Sequence, residues 1–265
     1  MDFLRKKKIL EQNIALRESM LIAFSGGVDS ALLAALAKET LGDRCRCVIL
    51  DSPVMPRAAI RGAEQIAETL GLGLEIITVP VMDDVRFRKN PADRCYFCKK
   101  NSAKILQKRA AELGLACVAD GINVSDRGEH RPGLAASTEE GIVHPFIEAG
   151  ITKEDIRSIA RQCGYSFWNK PSAACLSSRI PYGEEITCKK LMMIEQAEAF
   201  LAERGFCQFR VRMHANLARI EVIKEDLIKL LTIKEDVVKE FRTIGFSYVM
   251  LDIEGYRSGS MDEVL

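Results

Sequence analysis

The feature that most constrains the fold is a glycine-rich hexapeptide between a short apolar run and a helix-like run. The apolar run at residues 21–24 predicts a buried strand, and the Ala- and Leu-rich run at residues 31–38 predicts a helix. The hexapeptide consists of Ser25, Gly26, Gly27, Val28, Asp29 and Ser30. Glycines let a backbone turn tightly against a ligand, and a helix N-terminus presents free N–H groups to an anion. The sequence therefore predicts a phosphate-binding turn.

The hexapeptide is not the loop that grips the β and γ phosphates in many nucleotide-binding proteins, because it lacks Gly-Lys-Ser/Thr. Ser25 and Ser30 offer hydroxyl donors, and Asp29 is a candidate ligand for Mg²⁺. We interpret the hexapeptide as a binding site for ATP. An ordinary glycine-rich turn between a strand and a helix is the alternative.

Strand-like and helix-like runs alternate through the first half of the chain. Further strands are predicted at residues 47–50, 74–79 and 116–119, and further helices at residues 58–70 and 102–113. Such alternation predicts parallel strands joined by right-handed crossovers. Residues 121–145 are rich in Gly, Pro, Asp and His and predict a long functional loop. Thr152, with Asp155 three residues on, predicts the start of a helix.

The pattern changes after residue 187. A helix is predicted to about residue 204, followed by strands and helical segments in a different order, with the strands at residues 207–213, 217–223 and 246–251. The predicted fold class is α/β, with a parallel-sheet domain at residues 1–180. A smaller α+β domain at residues 181–265 is expected to complete the substrate site.

Charge and hydropathy narrow the class of partner. The chain has 38 Lys and Arg against 37 Asp and Glu, so it lacks the basic excess of a surface built to hold nucleic acid. No apolar run approaches the roughly 20 residues that span a bilayer. The sequence predicts a cytoplasmic protein with a small-molecule partner and without a membrane partner. A homo-oligomer is compatible with it.

Cysteine is abundant, with nine residues. In a reducing compartment, clustered thiols more often bind metal or do chemistry than form structural disulfides. Six cysteines lie in strand-like or helix-like settings and are predicted to be ordinary, mostly core residues: Cys45, Cys47, Cys117, Cys163, Cys188 and Cys207. Cys95, Cys98 and Cys175 remain as candidates for chemistry.

The hexapeptide resembles the signature of the PP-loop ATPase superfamily, and later segments narrow the resemblance. In order along the chain these are Asp-Arg-Cys-Tyr-Phe-Cys-Lys at 93–99, Ala-Asp-Gly-Ile-Asn at 119–123, Arg-Pro-Gly at 131–133, Glu-Ala-Gly-Ile-Thr-Lys at 148–153 and Trp-Asn-Lys-Pro-Ser-Ala-Ala-Cys-Leu-Ser-Ser-Arg-Ile-Pro-Tyr-Gly at 168–183. The series resembles the LarE family of ATP-dependent sulfur transferases, which build the nickel-pincer nucleotide.

The resemblance implies an activity. ATP would be cleaved between its α and β phosphates, releasing pyrophosphate and leaving AMP on a carboxylate of a pyridinium dicarboxylate mononucleotide. Each carboxylate would then become a thiocarboxylate. The resemblance also implies nucleotide-binding roles for Gly121, Asn123 and Asp126. The family often shows two acidic residues after the Asn, whereas this chain has Val124-Ser125-Asp126, so Asp126 alone fills that role.

The resemblance makes Cys175 the sulfur-handling residue. Some family members give up the sulfur of this cysteine and are left with dehydroalanine. Others hold a 4Fe–4S cluster on three cysteines, which here would be Cys95, Cys98 and Cys175. By itself Cys-x-x-Cys is equally compatible with zinc or a redox pair, but a structural zinc needs four ligands. Both sulfur routes stay open.

Three arginines are candidates for the site. Arg179, four residues after Cys175 in a proline-bounded segment, is a candidate cation for the thiolate. Arg210 and Arg212 alternate along a predicted strand, so they share one face and could hold the phosphate of the mononucleotide. Pairing of these arginines with a carboxylate such as Glu221 on a neighbouring strand is the alternative.

The favoured function is LarE-like sulfur insertion. A PP-loop enzyme that thiolates tRNA is a second hypothesis, weakened by the balanced charge and by the lack of a recognisable RNA-binding module. A non-catalytic nucleotide or iron–sulfur sensor is a third, and release of pyrophosphate from ATP would exclude it.

Overall fold

The computed structural model describes residues 2–128, 132–170, 174–257, 259–261 and 263. Four residues of the motif segments therefore lie outside the described part of the chain: Arg131, Pro171, Ser172 and Ala173.

The chain divides into two compact units. The first comprises Met1–Ser52, Arg57–Val79 and Asp93–Ala173, and the second comprises Pro53–Pro56, Pro80–Ala92 and Ala174–Leu265. Two short segments of the N-terminal half thus belong with the C-terminal unit. A division into domains at residue 180 stays a prediction.

The first unit is built on a four-stranded parallel sheet with the strand order β3-β2-β1-β4. Its strands are β1 (Met20–Ala23), β2 (Cys45–Asp51), β3 (Leu74–Thr78) and β4 (Cys117–Ala119). Its described helices are α1 (Asp2–Ala15), α2 (Val28–Leu41), α3 (Arg57–Thr69), α5 (Arg94–Glu112), α6 (Pro132–Glu139), α7 (Pro145–Glu148) and α8 (Lys153–Gln162). The predicted parallel α/β sheet is confirmed.

The core of this unit lies on both faces of the sheet. Met20, Leu21 and Ile22 of β1 are fully buried, as expected for a central strand covered by helices on each side. Helix α2 is apolar around most of its circumference and buries ten of its residues, which fixes its position against the sheet. Rigid packing of β1 and α2 holds the turn between them in place.

The strand order places a topological switch point between β1 and β4. The chain runs outward from β1 to β2 and β3, then returns to the other side of β1 to form β4. In open parallel sheets, ligands bind outside the carboxyl ends of the strands at such a point. The hexapeptide follows β1 directly, and Asp120 and Gly121 follow β4.

The second unit contains a smaller mixed sheet with the order β5-β6-β7. Strands β5 (Phe209–His214) and β6 (Leu217–Val222) are antiparallel, and β7 (Tyr248–Leu251) is parallel to β6. Its helices are α4 (Val85–Arg88), α9 (Cys188–Glu203), α10 (Leu227–Thr232) and α11 (Lys234–Ile244). Helix α9 packs against β5, and the predicted α+β character of this region is confirmed.

Two local predictions were wrong. Helix α5 begins at Arg94 rather than near residue 102, so Cys95 and Cys98 lie on its first two turns and not in a loop. The segment at 121–145 contains α6, which packs against α5, and the short helix α7 begins at its last residue. In the second segment, tertiary packing overrides a Gly- and Pro-rich composition.

The burial of the cysteines also differs from the prediction. Cys45 and Cys47 are buried on β2 as predicted, and Cys117 is half-buried. Cys163, Cys188 and Cys207 are exposed, because they lie at element ends: after α8, at the start of α9 and before β5. The helix start at Thr152 is confirmed as a capping box with Asp155.

Among the residues described, no helix combines the length and the apolar character needed to cross a membrane.

Candidate functional site

The turn after β1 depends on the absence of a side chain at Gly26. This residue has φ 67°, in the left-handed region, and a Cβ placed on it would lie 2.4 Å from Cβ and 2.6 Å from Cα of Ala63 on α3. Any larger residue would therefore have to displace backbone of α3. Gly27 differs, because it has φ −74° and is the N-cap of α2.

The hydroxyl groups of the turn bond to each other and to its backbone. Ser30 Oγ lies 3.0 Å from Ser25 Oγ, accepts from Ser25 N at 3.2 Å and donates to the carbonyl of Gly27 at 3.2 Å. Ser25 Oγ also lies 3.4 Å from the N–H of Gly27. These bonds close the turn at the start of α2, where backbone N–H groups have no intrahelical acceptor. The result is a preformed anion-binding turn.

Gly121, after β4, lies directly against this turn. A Cβ on Gly121 would lie 2.8 Å from N of Ser30 and 3.0 Å from Cβ of Asp29. The backbone after β4 thus approaches the first turn of α2 as closely as atoms allow. This contact brings together two segments predicted to bind nucleotide, at the switch point of the sheet.

Asp29 is held by a lysine that the sequence did not single out. Lys153, the first residue of α8, donates from Nζ to both carboxylate oxygens of Asp29. Burial raises the pKa of Asp29 above its ordinary value, the ion pair with Lys153 acts in the opposite direction, and the negative charge of Asp126 adds to the rise. Asp29 and Asp126 are therefore two neighbouring carboxylates in a partly desolvated place.

The turn that carries Asp126 also supports α8. Asp126 accepts from N of Asn123 at 2.9 Å, and Asn123 Oδ1 accepts from N of Ser125 at 3.0 Å. Ser125 Oγ accepts from N of Lys153 at 3.1 Å. Asn123 is buried, and its bonds shape the turn, whereas Ser125 orients the N-terminus of α8 and with it Lys153.

Two further polar pairs lie at the carboxyl ends of strands and were not predicted. Asp120 lies 2.7 Å from Nδ1 of buried His144, whose Nε2 lies 3.0 Å from Oγ1 of Thr138. At the end of β2, Arg57 donates to both oxygens of Asp51. The signal that could have found these places is an aspartate at the end of a strand, since Asp51 is the last residue of β2 and Asp120 directly follows β4.

The carboxylates near the turn fit a magnesium ion that arrives with ATP. Mg²⁺ is commonly held by one or two carboxylates together with substrate phosphates and water. Asp29 and Asp126 supply such a pair. Burial is the main cause of the raised pKa of Asp29, and a divalent cation would relieve the smaller contribution from the charge of Asp126. These two residues would hold the ion.

In the second unit, Cys175 lies in a segment fixed by Arg179. The guanidinium of Arg179 is buried and donates to the carbonyls of Ala174 and Cys175, both at 3.0 Å. It also forms a bidentate pair with Glu198 of α9 at 2.9 and 3.0 Å. Arg179 thus holds the backbone that presents Cys175, a role in addition to the predicted one of a cation for the thiolate.

Arg210 and Arg212 lie on the same face of β5 but differ in their surroundings. Arg212 pairs at 2.8 Å with Glu221, which is fully buried and also accepts from Arg219 and Ser260. The pairing alternative therefore describes Arg212. Arg210 lies over the ring of Tyr256, and burial, followed by the positive charge of Arg179, lowers its pKa. An anion bound there would relieve both effects.

Cys95 is exposed and Cys98 half-buried on α5. Thiolates are the usual ligands of iron–sulfur clusters, so the chemistry of these donors suits a cluster. Within the described ranges, however, no three His, Cys, Asp or Glu side chains come together as a metal site.

Comparison with known proteins agrees with this geometry. The family model for NAD synthase matches residues 1–109, which include β1, the hexapeptide and α2. A parallel sheet with this glycine-rich turn at its switch point defines a PP-loop enzyme, a class that uses ATP and characteristically releases AMP and pyrophosphate.

Full-length relatives narrow the class. The chain is 34% identical over 98% of its length, and 95% of the relative's, to the pyridinium-3,5-bisthiocarboxylic acid mononucleotide synthase of Lactiplantibacillus plantarum. It is 39% identical to an uncharacterized protein of Synechocystis, over 98% of each chain. It is 35% identical to an uncharacterized protein of Methanocaldococcus jannaschii, over 97% of this chain and 100% of the other. The chain belongs to the LarE family of ATP-using sulfur transferases.

Proposed function

We propose that the protein adenylylates the carboxylates of a pyridinium dicarboxylate mononucleotide and converts them to thiocarboxylates, as a step in nickel-pincer nucleotide synthesis. The L. plantarum relative is named for the bisthiocarboxylic acid product. The observation that carries the proposal is the preformed anion-binding turn at the switch point, with Gly121 packed against the first turn of α2. Cleavage of ATP at its α phosphate needs a nucleophile, and in this proposal the nucleophile is a carboxylate of the substrate.

Activation is needed because a carboxylate is a poor acyl donor. A carboxylate oxygen attacks the α phosphorus of ATP, the bond to the bridging oxygen breaks, and pyrophosphate leaves. Backbone N–H groups at the start of α2 and the ammonium of Lys153, which lies at Asp29, would stabilise the charge of pyrophosphate. Mg²⁺ on Asp29 and Asp126 would supply further charge neutralisation.

Sulfur transfer then follows from an acyl-AMP and a thiol. The thiolate of Cys175 attacks the acyl carbon and AMP leaves, which gives a thioester. A base takes the proton on Cα of Cys175, and the bond between Cβ and Sγ breaks. The products are a thiocarboxylate and a dehydroalanine at position 175, with no oxidant or reductant consumed. Two chains would be consumed for each bisthiocarboxylic acid formed.

The phosphate of the mononucleotide would bind at Arg210. Support for this role comes from the lowered pKa of Arg210, which reflects burial beside the like charge of Arg179. Arg212 would mainly hold its neighbours in place and would not bind the phosphate directly, because Glu221 already neutralises its charge. In this proposal the negatively charged phosphate of the substrate binds beside the positive charges of Arg210 and Arg179.

The proposed route needs no iron–sulfur cluster. The alternative, a 4Fe–4S cluster on Cys95, Cys98 and Cys175 that delivers sulfide repeatedly, makes a different prediction for the protein after turnover. A cluster-dependent enzyme keeps the mass of its polypeptide, whereas the cysteine-sacrificing enzyme loses the elements of H₂S.

Mass spectrometry of the intact polypeptide before and after a single turnover tests the proposal. We expect loss of H₂S from the wild type and no loss from Cys175→Ser, with pyrophosphate release retained in the variant. Cys188→Ser, which changes an exposed cysteine, is the matched control and should lose H₂S like the wild type. Product formation by Cys175→Ser would overturn the role of Cys175.

Pyrophosphate release that depends on tRNA instead of the mononucleotide would favour the tRNA-thiolating alternative, and ATP binding without turnover would favour a sensor.

A further inference from the structure

Lys170 lies in an unusual place for a lysine. It follows a 3₁₀ turn at Ser166–Asn169, and its side chain lies across α3, where Gly62 leaves room for it. A Cβ at Gly62 would lie only 3.1 Å from Nζ of Lys170 and 4.0 Å from its Cε. The ammonium group, and not only the aliphatic stem, therefore rests on the helix surface.

This ammonium lacks a counter-charge among the described residues. The side chain of Lys170 is half-buried, and burial alone lowers its pKa, with no carboxylate acting to raise it. Other half-buried lysines of the first unit, such as Lys6 and Lys153, are paired with aspartates. Lysine is rarely removed from water without a partner, so the position of Lys170 calls for an anion that arrives from outside the chain.

The surroundings of Lys170 connect it to the phosphate-binding turn. Gly62 is followed by Ala63, the residue on which Gly26 packs without space for a Cβ. Since Gly62 and Ala63 are neighbours on α3, Nζ of Lys170 lies within about 13 Å of Cα of Gly26. Helix α3 thus contacts the phosphate-binding turn through Ala63 and the side chain of Lys170 through Gly62. All of these residues belong to the first unit.

We propose that Lys170 binds the pyrophosphate portion of ATP and stays with pyrophosphate as it leaves. Most of the negative charge of ATP lies on its β and γ phosphates, and a compact ammonium is a common phosphate ligand. Lys153 is paired with Asp29 before ATP binds, so Lys170 supplies a second cation for the phosphates. This inference rests on the proposed function only in requiring that ATP bind at the turn.

The alternative is that Lys170 has a packing role, covering α3 with its methylene groups. Lys170→Met separates the two, because methionine keeps most of the aliphatic stem and removes the charge. We expect pyrophosphate and ATP to bind about ten- to a hundredfold more weakly to the variant, the range for a lost charge-assisted hydrogen bond. Binding of AMP should stay unchanged, and isothermal titration with each compound measures the difference.

Two comparisons make the test specific. Lys108→Met removes an equal charge from an exposed position on α5 and should bind all three compounds like the wild type. Gly62→Ala removes no charge but crowds the ammonium. Because alanine also stabilises a helix relative to glycine, weaker pyrophosphate binding by Gly62→Ala together with an unchanged or higher melting temperature cannot come from unfolding.

If Lys170→Met binds pyrophosphate as tightly as the wild type, the inference is wrong and the side chain is only packing, while the proposed function stands. If AMP binding weakens as much as pyrophosphate binding, the assignment to the pyrophosphate portion is wrong. If the wild type itself binds neither ATP nor pyrophosphate, the proposed function fails. Should Lys170→Met not fold, Gly62→Ala with normal pyrophosphate affinity would overturn the inference.

Discussion

Lys153 donates from Nζ to both carboxylate oxygens of Asp29, at 2.7 and 2.5 Å, although 124 residues separate them in the chain. This contact joins the first turn of α2 to the first turn of α8. Lys153 supplies the counter-charge of the carboxylate that we propose for Mg²⁺. When Mg²⁺–ATP binds, the ammonium would be free to contact a phosphate.

Lys153→Met should move the acid limb of the pH profile of pyrophosphate release to higher pH. The reason is the sign of each effect on Asp29, because burial raises its pKa and Lys153 counters that rise. Without Lys153, burial and the charge of Asp126 act unopposed, and Asp29 takes up a proton at a higher pH. Relative rates from pH 4 to pH 8, about the range in which carboxyl groups and histidine titrate, would show the change. An acid limb at the same pH in both proteins would contradict it.

Asp29→Asn should abolish pyrophosphate release without lowering the melting temperature at neutral pH. A raised folded-state pKa means that folding favours the neutral form of Asp29 more than the unfolded chain does. The corresponding stabilisation is fully present below the ordinary pKa of 3.8 and is lost as the pH rises through the folded value. The neutral amide retains it at all pH values. A variant that released pyrophosphate at the wild-type rate would remove Asp29 from the site.

Magnesium and protons should compete in the wild type. Both bind the oxygens of Asp29, so pyrophosphate release falls as the pH drops toward its raised pKa. A higher Mg²⁺ concentration should shift the midpoint of this fall to lower pH, by up to about one unit for each tenfold increase while Mg²⁺ is subsaturating. Profiles of rate against pH at low and high Mg²⁺ measure the shift. A midpoint that does not change with Mg²⁺ concentration would show that the ion does not bind Asp29.

Gly26→Ala and Gly27→Ala should differ strongly although the residues are adjacent. Alanine at 26 must adopt a positive φ and overlap Ala63, which we expect to cost about 2–4 kcal/mol of unfolding free energy. Alanine at 27 adopts an ordinary extended φ and meets only Ser25 Oγ at 3.5 Å, so its cost should stay below about 1 kcal/mol. Urea denaturation of both variants tests this, and equal costs would contradict the geometry of the turn.

Arg210→Met and Arg212→Met should separate binding from stability. Removing Arg212 leaves Glu221 buried with only Arg219 and Ser260. The expected cost is about 2–3 kcal/mol of unfolding free energy, somewhat less than the 3–5 kcal/mol that is typical when a buried charge loses all partners. Removing Arg210 ends the crowding of like charges, so the fold should keep its stability while the KM for the mononucleotide rises at least about tenfold. Steady-state kinetics and urea denaturation of both variants test this prediction. A larger loss of stability in Arg210→Met, or a larger rise in KM in Arg212→Met, would contradict it.

The sheet could be predicted from the sequence because its signals are local. Apolar runs, and the glycine-rich turn between a strand and a helix, each lie within a few residues, and the structure places β1 to β4 within a residue or two of the predicted strands. The start of α5 could not be predicted, because the residues around Cys95 are polar and their helical state depends on packing against α6. The exposure of Cys207 was missed since a strand-like composition does not show where the strand begins.

The contacts of the site could be predicted only in part. The hexapeptide and Gly121 were recognised as segments, but no periodic pattern reports that Lys153 reaches Asp29 or that His144 reaches Asp120. Such pairs are formed by the crossing of distant segments at the ends of strands. Glu221 was named as one partner for the arginines of β5, yet its bonds to Arg212, Arg219 and Ser260 follow from the register of β5 and β6 and from the path of the C-terminal segment.

The position of β4 beside β1 has a consequence for folding kinetics. Residues paired between β1 and β4 are roughly a hundred positions apart, whereas β1 pairs with β2 across about a quarter of that distance. Closing the longer loop costs more entropy, so β4 should join the sheet after β1, β2 and β3 have formed. The nucleotide pocket would then exist only late on the folding pathway, and bound ATP would slow unfolding without accelerating folding.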